Sequence, residues 1–311
     1  MPRSAPPSLL HGCDLVRCVL AGHGSVPISC YVIHLFAMNL SFAKPPLVEI
    51  VVELRWTPVQ SQLSISAPAQ AGTVQLPFFG NSKLDEFYMR IAGKLHQQGF
   101  QAIERLVPPG FPTVMHQPIY RYKKPADPST TLCQAGPGIF AVNAVPPYKS
   151  WKEFFPVAEA AIGALLEARD SSEKNLPFSG ISLRYINAFT NELTGGRPTP
   201  VFLAEVLGIS VALPPALAGV VKKGQLPQYA LQLTLPISNN IVLAVNFAEA
   251  LVNGSAAVLM DTTASCNTGI PPGLKAVVDV LNVAYGVVHE IFLELTSPIH
   301  KLMQPTEGVA K

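Results

Sequence analysis

An alternation of apolar and polar side chains around position 50 constrains the fold more than any other feature of the chain. Within residues 46–56 (PLVEIVVELRW), one side of a two-residue period is apolar: Val48, Ile50, Val52, Leu54 and Trp56. The other side is mostly charged: Glu49, Glu53 and Arg55. Successive side chains of a strand point to opposite faces, so this pattern predicts a β-strand with one buried face. We expect the folded part of the chain to begin with this strand.

The residues before that strand, 1–37, show no sustained periodicity. One interpretation is an export or membrane signal, because Arg3 and Arg17 precede an apolar run at 26–37. That run is shorter than the roughly 20 residues of a spanning helix and is interrupted by polar residues and proline. The alternative is an unstructured or non-native extension, with translation starting at Met38. We favour the alternative.

Further periodic segments follow along the chain. Helices are predicted from Ser82, from Ser150 with its Ser-Trp-Lys-Glu capping box, and over residues 274–296. Strands are predicted at 119–123, 132–134, 139–145, 181–189, 229–235, 241–247 and 257–263, with a short edge strand at 60–65. A Gly-Gly-Arg-Pro break at 195–198 divides these segments. The prediction is an α+β fold of two units, 38–196 and 197–311, each an antiparallel sheet covered by helices on one face.

Charge is sparse and evenly scattered. Charged residues make up 14% of the chain, against about 25% in typical proteins, and the net charge is +2. No basic stripe exists to neutralise a phosphate backbone, so we expect no nucleic-acid partner. Residues 224–248 carry no charge, but polar residues interrupt them at strand-like intervals: Gln228, Gln232, Thr234, Asn240 and Asn246. This spacing favours antiparallel strands over a membrane span.

Cysteine usage points to a reducing compartment. Three of the five cysteines precede the first strand, which leaves Cys133 and Cys266 in the folded part. Two distant cysteines do not make a disulfide framework in a domain of this size, so we expect a cytoplasmic protein. Cys13 and Cys18 have no partner pair at zinc-finger spacing, and no metal or cofactor is predicted.

Three groups of short motifs resemble a sporadically distributed, uncharacterised bacterial protein family. They are Pro45-Pro46-Leu47-Val48-Glu49 leading to Leu54-Arg55-Trp56; Tyr148 with Ser150-Trp151 and Phe154; and Leu183-Arg184-Tyr185-Ile186-Asn187. Residues 288–296 (Val-His-Glu, then a phenylalanine and a threonine) extend the similarity towards the C-terminus. The resemblance covers about residues 45–303 and is consistent with a start at Met38. It implies no activity, cofactor or catalytic residue.

Motifs that suggest catalysis are each incomplete. His289-Glu290 begins a zinc-protease pattern, but Leu293 stands where a second histidine is required. Asp261-Thr262-Thr263 lacks the glycine and the second copy of an aspartic protease. Residues 208–212 lack the final glycine of a serine-hydrolase elbow. We therefore predict no catalytic set.

The charged face of the first strand is the remaining candidate site. Glu49, Glu53 and Arg55 share this face, and Arg184 is expected on a neighbouring strand. One interpretation is cross-strand ion pairing, which contributes at most about 1 kcal/mol per pair. The other is that Arg55 and Arg184 present planar donors to an anionic ligand or an acidic partner. We favour ion pairing.

Two functions remain compatible with the sequence. The first is a soluble, non-enzymatic interaction or regulatory protein that binds a protein partner or a second copy of itself. The second is a hydrolase or small-ligand enzyme with a site near Arg55, Arg184 and Asp261. An interaction protein should have an open sheet edge or an exposed apolar patch, whereas an enzyme should have a concave pocket with several titratable groups.

Overall fold

The computed structural model describes residues 40–59, 82–109, 111–125, 131–146 and 150–306. The strands are β1 (Ser41–Phe42), β2 (Leu47–Arg55), β3 (Ala102–Arg105), β4 (Tyr120–Lys123), β5 (Leu132–Gly136), β6 (Ile139–Ala144), β7 (Gly180–Thr190), β8 (Ala230–Pro236), β9 (Ile241–Val252), β10 (Ser255–Cys266) and β11 (Pro305–Thr306). The predicted extension at 1–37, the predicted strand at 60–65 and the side chains at 82–84 lie outside the described residues.

Within the described residues, three of the helices are long and four are short. The long ones are α1 (Ser82–His96), α2 (Trp151–Ala168) and α6 (Leu274–Thr296). The short ones are α3 (Asn191–Thr194), α4 (Thr199–Glu205), α5 (Pro215–Ala218) and α7 (His300–Met303), with a 3₁₀ turn at Ser297–Ile299. The predicted α+β class with antiparallel strands is confirmed.

Nine of the described strands form one antiparallel sheet in the order β3-β4-β5-β6-β2-β7-β10-β9-β8. The sequence assigns these strands to two units, 38–196 and 197–311, but β7 pairs with β2 on one side and with β10 on the other. The two predicted sheets are therefore continuous through the β7–β10 ladder. The described residues between 40 and 306 group as one unit by their contacts. β1 and β11 form a separate two-stranded sheet.

The two faces of the large sheet differ in burial. We call the inner face the one that carries Ile50, Val52 and Leu54 of β2, all of which are fully buried. The outer face carries Glu49, Val51, Glu53 and Arg55, which are partly or largely exposed. The inner-face side chains join one hydrophobic cluster with the buried stripes of α1, α2 and α6. The helical periodicity of these three segments accounts for their contact with the sheet.

Two local predictions need correction. The alternation predicts Val48 on the buried face, but a β-bulge between Leu47 and Glu49 inserts an extra residue there, and Leu47 takes the buried position. The capping box predicts that the Ser150 side chain caps α2, yet in the described structure its hydroxyl makes no capping hydrogen bond. Its backbone carbonyl instead accepts from the amides of Glu153 and Phe154.

The last long helix is apolar as well as amphipathic. Among the described residues, one helical stretch, Leu274–Met303, is long and apolar enough to cross a membrane. In its most apolar 18-residue segment, 22% of the residues are buried. One such helix is weak evidence for a span, because core helices pass the same test. In this structure α6 contacts β7 and β10 and buries Val277, Leu281 and Val288.

Candidate functional site

The charged residues predicted to share one face do lie together on the outer face of the sheet. Arg184 of β7 stands opposite Val51 of β2 on one side and Thr263 of β10 on the other. Its Nε donates to Asp261 Oδ1 at 2.8 Å, and its Nη2 donates to Asp261 Oδ2 at 2.6 Å. These hydrogen bonds raise the pKa of Arg184, against an opposing effect of burial; the charge of Asp261 and the more distant charges of Glu49 and Glu53 add to the rise.

The other members of this group also have partners. Arg55 Nε donates to Glu53 Oε1 at 2.6 Å, and Asn143 Nδ2 donates to Glu49 Oε1 at 2.8 Å. The geometry matches cross-strand and same-strand pairing on a partly solvated sheet face, which stabilises weakly. In this arrangement the planar fork of Arg184 is already used by Asp261, and the group lies on an open face.

A cavity lies on the inner side of the sheet, where β2, β7 and β10 face the start of α2 and the middle of α6. Its volume is about 90 Å³. The lining residues come from five regions of the chain: Leu40, Ser41, Phe42, Pro45, Leu47, Ser150, Trp151, Tyr185, Asn187, Thr262, Tyr285, Val288, His289 and Phe292. Arg184 and Asp261 point to the opposite face, so the cavity does not include them.

Three ring-bearing residues of the cavity wall, Trp151, Tyr285 and His289, belong to a stacked column that also includes Phe155. The rings of Trp151 and Tyr285 stack with centroids 4.9 Å apart and an interplanar angle of 8°. The Tyr285 ring also stacks on His289 at 5.2 Å, and Trp151 stacks on Phe155 at 4.8 Å. Burial raises the pKa of the Tyr285 phenol. We call these four residues the aromatic column.

Two of the cavity residues belong to incomplete protease motifs of the sequence. His289 belongs to the incomplete zinc-protease pattern, and Thr262 to the incomplete aspartic-protease pattern. The described residues contain no group of three or more histidine, cysteine or acidic side chains that could hold a metal. A better signal is the position of Thr262 and Asn187: each is a polar residue at an inward position of a strand whose other inward residues are mostly apolar.

The two edges of the sheet form a third candidate region. β3, at one edge, has four residues and carries Glu104, which is 2.8 Å from Lys123 Nζ of the adjacent strand. β8, at the other edge, has seven residues without charge, and of the described strands it pairs only with β9. Its Leu235 is 45% exposed. The segment that leads into β8 exposes further large apolar residues: Val211, Leu217, Val220 and Leu226.

The chain matches no protein-family model, no curated protein and no solved structure. The resemblance to an uncharacterised bacterial family therefore stays a prediction. The charged group, the cavity and the β8 edge are the features of the molecule that bear on its function.

Proposed function

We propose that this chain is a non-enzymatic bacterial interaction protein that acts through the open edge of β8. The observation that carries the proposal is the chemistry of that edge. Natural sheets protect their edges with charges, proline, bulges or short strands, because unpaired backbone groups recruit other strands. β8 has seven residues, no charge, and a proline only at its last position, Pro236.

A second copy of the chain is the occupant that the β8 edge fits best. Two identical strands pair antiparallel about a two-fold axis, and an uncharged strand does so without like-charge repulsion. Leu231, Leu233 and Leu235 alternate towards the inner face, so a partner strand would continue the row of leucines. Pro236 has no N–H group to donate, so a symmetric ladder centred on Leu233 is limited to residues 231–235.

The alternative, an enzyme with a site near Arg55, Arg184 and Asp261, has weaker support. Arg184 donates two hydrogen bonds to Asp261, and this group lies on the partly solvated face of the sheet. Catalytic sites are generally concave and exclude water. We also propose a cytoplasmic location, supported by the free, buried cysteines Cys133 and Cys266.

The test is the oligomeric state of the full chain by sedimentation equilibrium over a range of concentrations. In an antiparallel pair centred on Leu233, residue 232 of one copy faces residue 234 of the other. The double variant Gln232→Lys/Thr234→Lys therefore brings lysines opposite each other twice. We expect it to raise the dimer dissociation constant at least about tenfold, which corresponds to about 1.4 kcal/mol.

Two control variants make this test specific. Gln232→Glu/Thr234→Lys has two charges as well, but in the same register it places a glutamate opposite each lysine, so we expect it to dimerise like the unmodified chain. Ile103→Lys adds a lysine to the other edge, at an exposed position of β3, and should leave the dimer unchanged. An unmodified chain that stays monomeric, or a double-lysine variant that dimerises normally, overturns the proposal.

A further inference from the structure

The chain between α4 and β8 carries large apolar side chains on its surface. None of residues 208–229, which we call the exposed segment, is buried. Val211 is 41% exposed, Leu217 53%, Val220 78% and Leu226 59%. Single exposed apolar residues are ordinary in proteins, whereas several in one short segment are typical of a contact site.

Two of these side chains lie on one side of a compact turn. α5 begins at Pro215, and a tighter turn follows it, in which the Val220 amide donates to the Leu217 carbonyl. In a turn with such a three-residue hydrogen bond, side chains three residues apart lie one above the other. Leu217 and Val220 therefore share a side, and we call this pair the apolar tip.

The turn bonds its own backbone amides. Those of Ala218, Gly219 and Val221 donate to carbonyls within residues 214–218. Unpaired amides oppose the transfer of a loop into an apolar phase. Because these amides are already bonded, the apolar tip can enter such a phase at a lower cost.

The charge of the exposed segment is positive only. Lys222 and Lys223 follow the apolar tip, and no aspartate or glutamate occurs between Glu205 and Glu249. Both lysines are exposed, and neither forms an ion pair with another described residue. Exposed apolar side chains beside lysines are typical of segments that bind an anionic membrane surface.

Other partners fit these side chains less well. Two lysines neutralise too few phosphates to hold a nucleic acid, and apolar side chains add nothing to such contacts. A second copy of the exposed segment would bring two pairs of lysines together about a two-fold axis. A membrane requires only apolar side chains and positive charge in one place, and both are present here.

We propose that the exposed segment attaches the protein to an anionic lipid surface. The apolar tip enters the boundary between headgroups and acyl chains, and Lys222 and Lys223 contact the lipid phosphates. The cytoplasmic leaflet carries negative charge, which agrees with the proposed cytoplasmic location. This surface attachment differs from a span, which requires a continuous helix of about 20 residues. It does not rest on the β8 dimer, since each copy carries the whole segment.

Co-sedimentation of the full chain with lipid vesicles tests this proposal. One vesicle preparation is pure phosphatidylcholine, and the other has equal parts of phosphatidylcholine and phosphatidylglycerol. We expect about 30-fold stronger binding to the anionic vesicles, which corresponds to about 2 kcal/mol, or about 1 kcal/mol for each lysine. The preference should fall as salt rises, because ions screen the headgroup charge.

Two double variants separate the contribution of charge from that of insertion. Lys222→Gln/Lys223→Gln should bind the anionic vesicles no more tightly than the neutral ones. Leu217→Ser/Val220→Ser should bind the anionic vesicles at least about tenfold more weakly than the unmodified chain, because it loses the apolar area that enters the membrane. Its remaining binding should keep the dependence on salt.

Matched substitutions elsewhere control for lost charge and lost apolar area. Lys275→Gln/Lys301→Gln also removes two exposed lysines. Leu302→Ser/Val114→Ser removes a leucine and a valine that are 48% and 50% exposed. Both controls should bind the anionic vesicles as the unmodified chain does. All of these side chains are exposed, so we expect every variant to fold like the unmodified chain.

The results decide the proposal in either direction. It is overturned by an unmodified chain that ignores anionic vesicles, by a Leu217→Ser/Val220→Ser variant that binds them fully, or by equal losses in the controls. Sedimentation equilibrium of the same variant without lipid is a further check: a weakened dimer would assign the apolar tip to a protein interface and overturn the lipid assignment. A monomeric chain that binds anionic vesicles would contradict the β8 dimer and leave membrane attachment standing.

Discussion

Two arginines on opposite sides of the sheet differ in their exposure to solvent and in their hydrogen-bond partners. Arg184, on the outer face, has a side chain that is 45% exposed and donates two hydrogen bonds to Asp261. Arg169, just after α2, is only 2% exposed, and none of its guanidinium nitrogens has a hydrogen-bond partner among the described residues. Its neighbours are rings: the guanidinium carbon lies 4.9 Å from the Phe178 centroid and 5.6 Å from that of Trp56.

The difference between these arginines reflects the environment on each side. On the outer face, water and neighbouring charges satisfy a polar group, so a pair adds little. On the inner side, burial lowers the pKa of Arg169, and the charge of Glu173 opposes that shift. The Thr262 hydroxyl, also on the inner side, likewise finds no hydrogen-bond partner within the described ranges. Substitutions should therefore have large effects on the inner side and small ones on the outer face.

The largest contrast is expected within β2 itself. Leu54→Ala removes a fully buried side chain from the inner face and should lower the free energy of unfolding by about 2–5 kcal/mol, because it leaves a cavity in the core. Val51→Ala changes the outer face three residues earlier, where the side chain is only partly buried, and should cost less than about 1 kcal/mol. Urea unfolding followed by circular dichroism measures both.

Equal losses from the two β2 substitutions would contradict the assignment of the faces. Ile50→Val provides a graded control, since it removes one methyl group from the same inner row and should cost about 0.5–1.5 kcal/mol. We expect Leu54→Ala to lower the free energy of unfolding most and Ile50→Val to lower it less. Val51→Ala should lower it no more than Ile50→Val does.

Local periodicity explains why much of the fold was predictable. The two-residue alternation of apolar side chains in β2 and their three-to-four-residue spacing in α6 are local patterns that can be read from the sequence. The burial of these side chains largely follows the patterns. The bulge at Val48 was missed because it depends on how β2 pairs with β7. β3 was missed because its four residues, Ala-Ile-Glu-Arg, do not alternate between apolar and polar side chains. The continuity of the sheet was missed because β7 and β10 are far apart in the sequence, and their pairing has no local signature.

The second contrast concerns the ring contacts of Arg169. Arg169→Lys keeps the charge but loses the planar group that stacks on Phe178 and Trp56, and it buries a more strongly hydrated ammonium. We expect it to lower the free energy of unfolding by about 2 kcal/mol. Arg169→Met removes the charge and keeps an apolar side chain of similar reach, so it should cost less than the lysine variant.

Urea unfolding of these two variants tests how a buried guanidinium is accommodated. If the lysine variant is as stable as the methionine variant, ring stacking does not hold Arg169 in place. The comparison is matched because both side chains are unbranched and start from the same backbone position. Neither substitution touches the β8 edge, so the oligomeric state serves as an internal check on folding.

The candidate sites were predictable in unequal measure. Glu49, Glu53, Arg55 and Arg184 could be placed on one face because strand alternation fixes the face of each residue. The ion pair between Arg184 and Asp261 needed the β7–β10 register, which only the fold provides. The cavity joins β1, α2, β7, β10 and α6, and no sequence pattern connects segments so far apart.

The smallest expected effect is on the outer face, at the ion pair of Arg184 and Asp261. A double-mutant cycle with Arg184→Met and Asp261→Asn should give a coupling energy of at most about 1 kcal/mol, because both side chains are partly solvated. The coupling should fall as salt rises, since ions screen exposed charges. Urea unfolding of the four proteins at low and high salt measures it. A coupling well above about 1 kcal/mol that does not respond to salt would mean that the pair is shielded from water, and the outer face would then resemble the inner one.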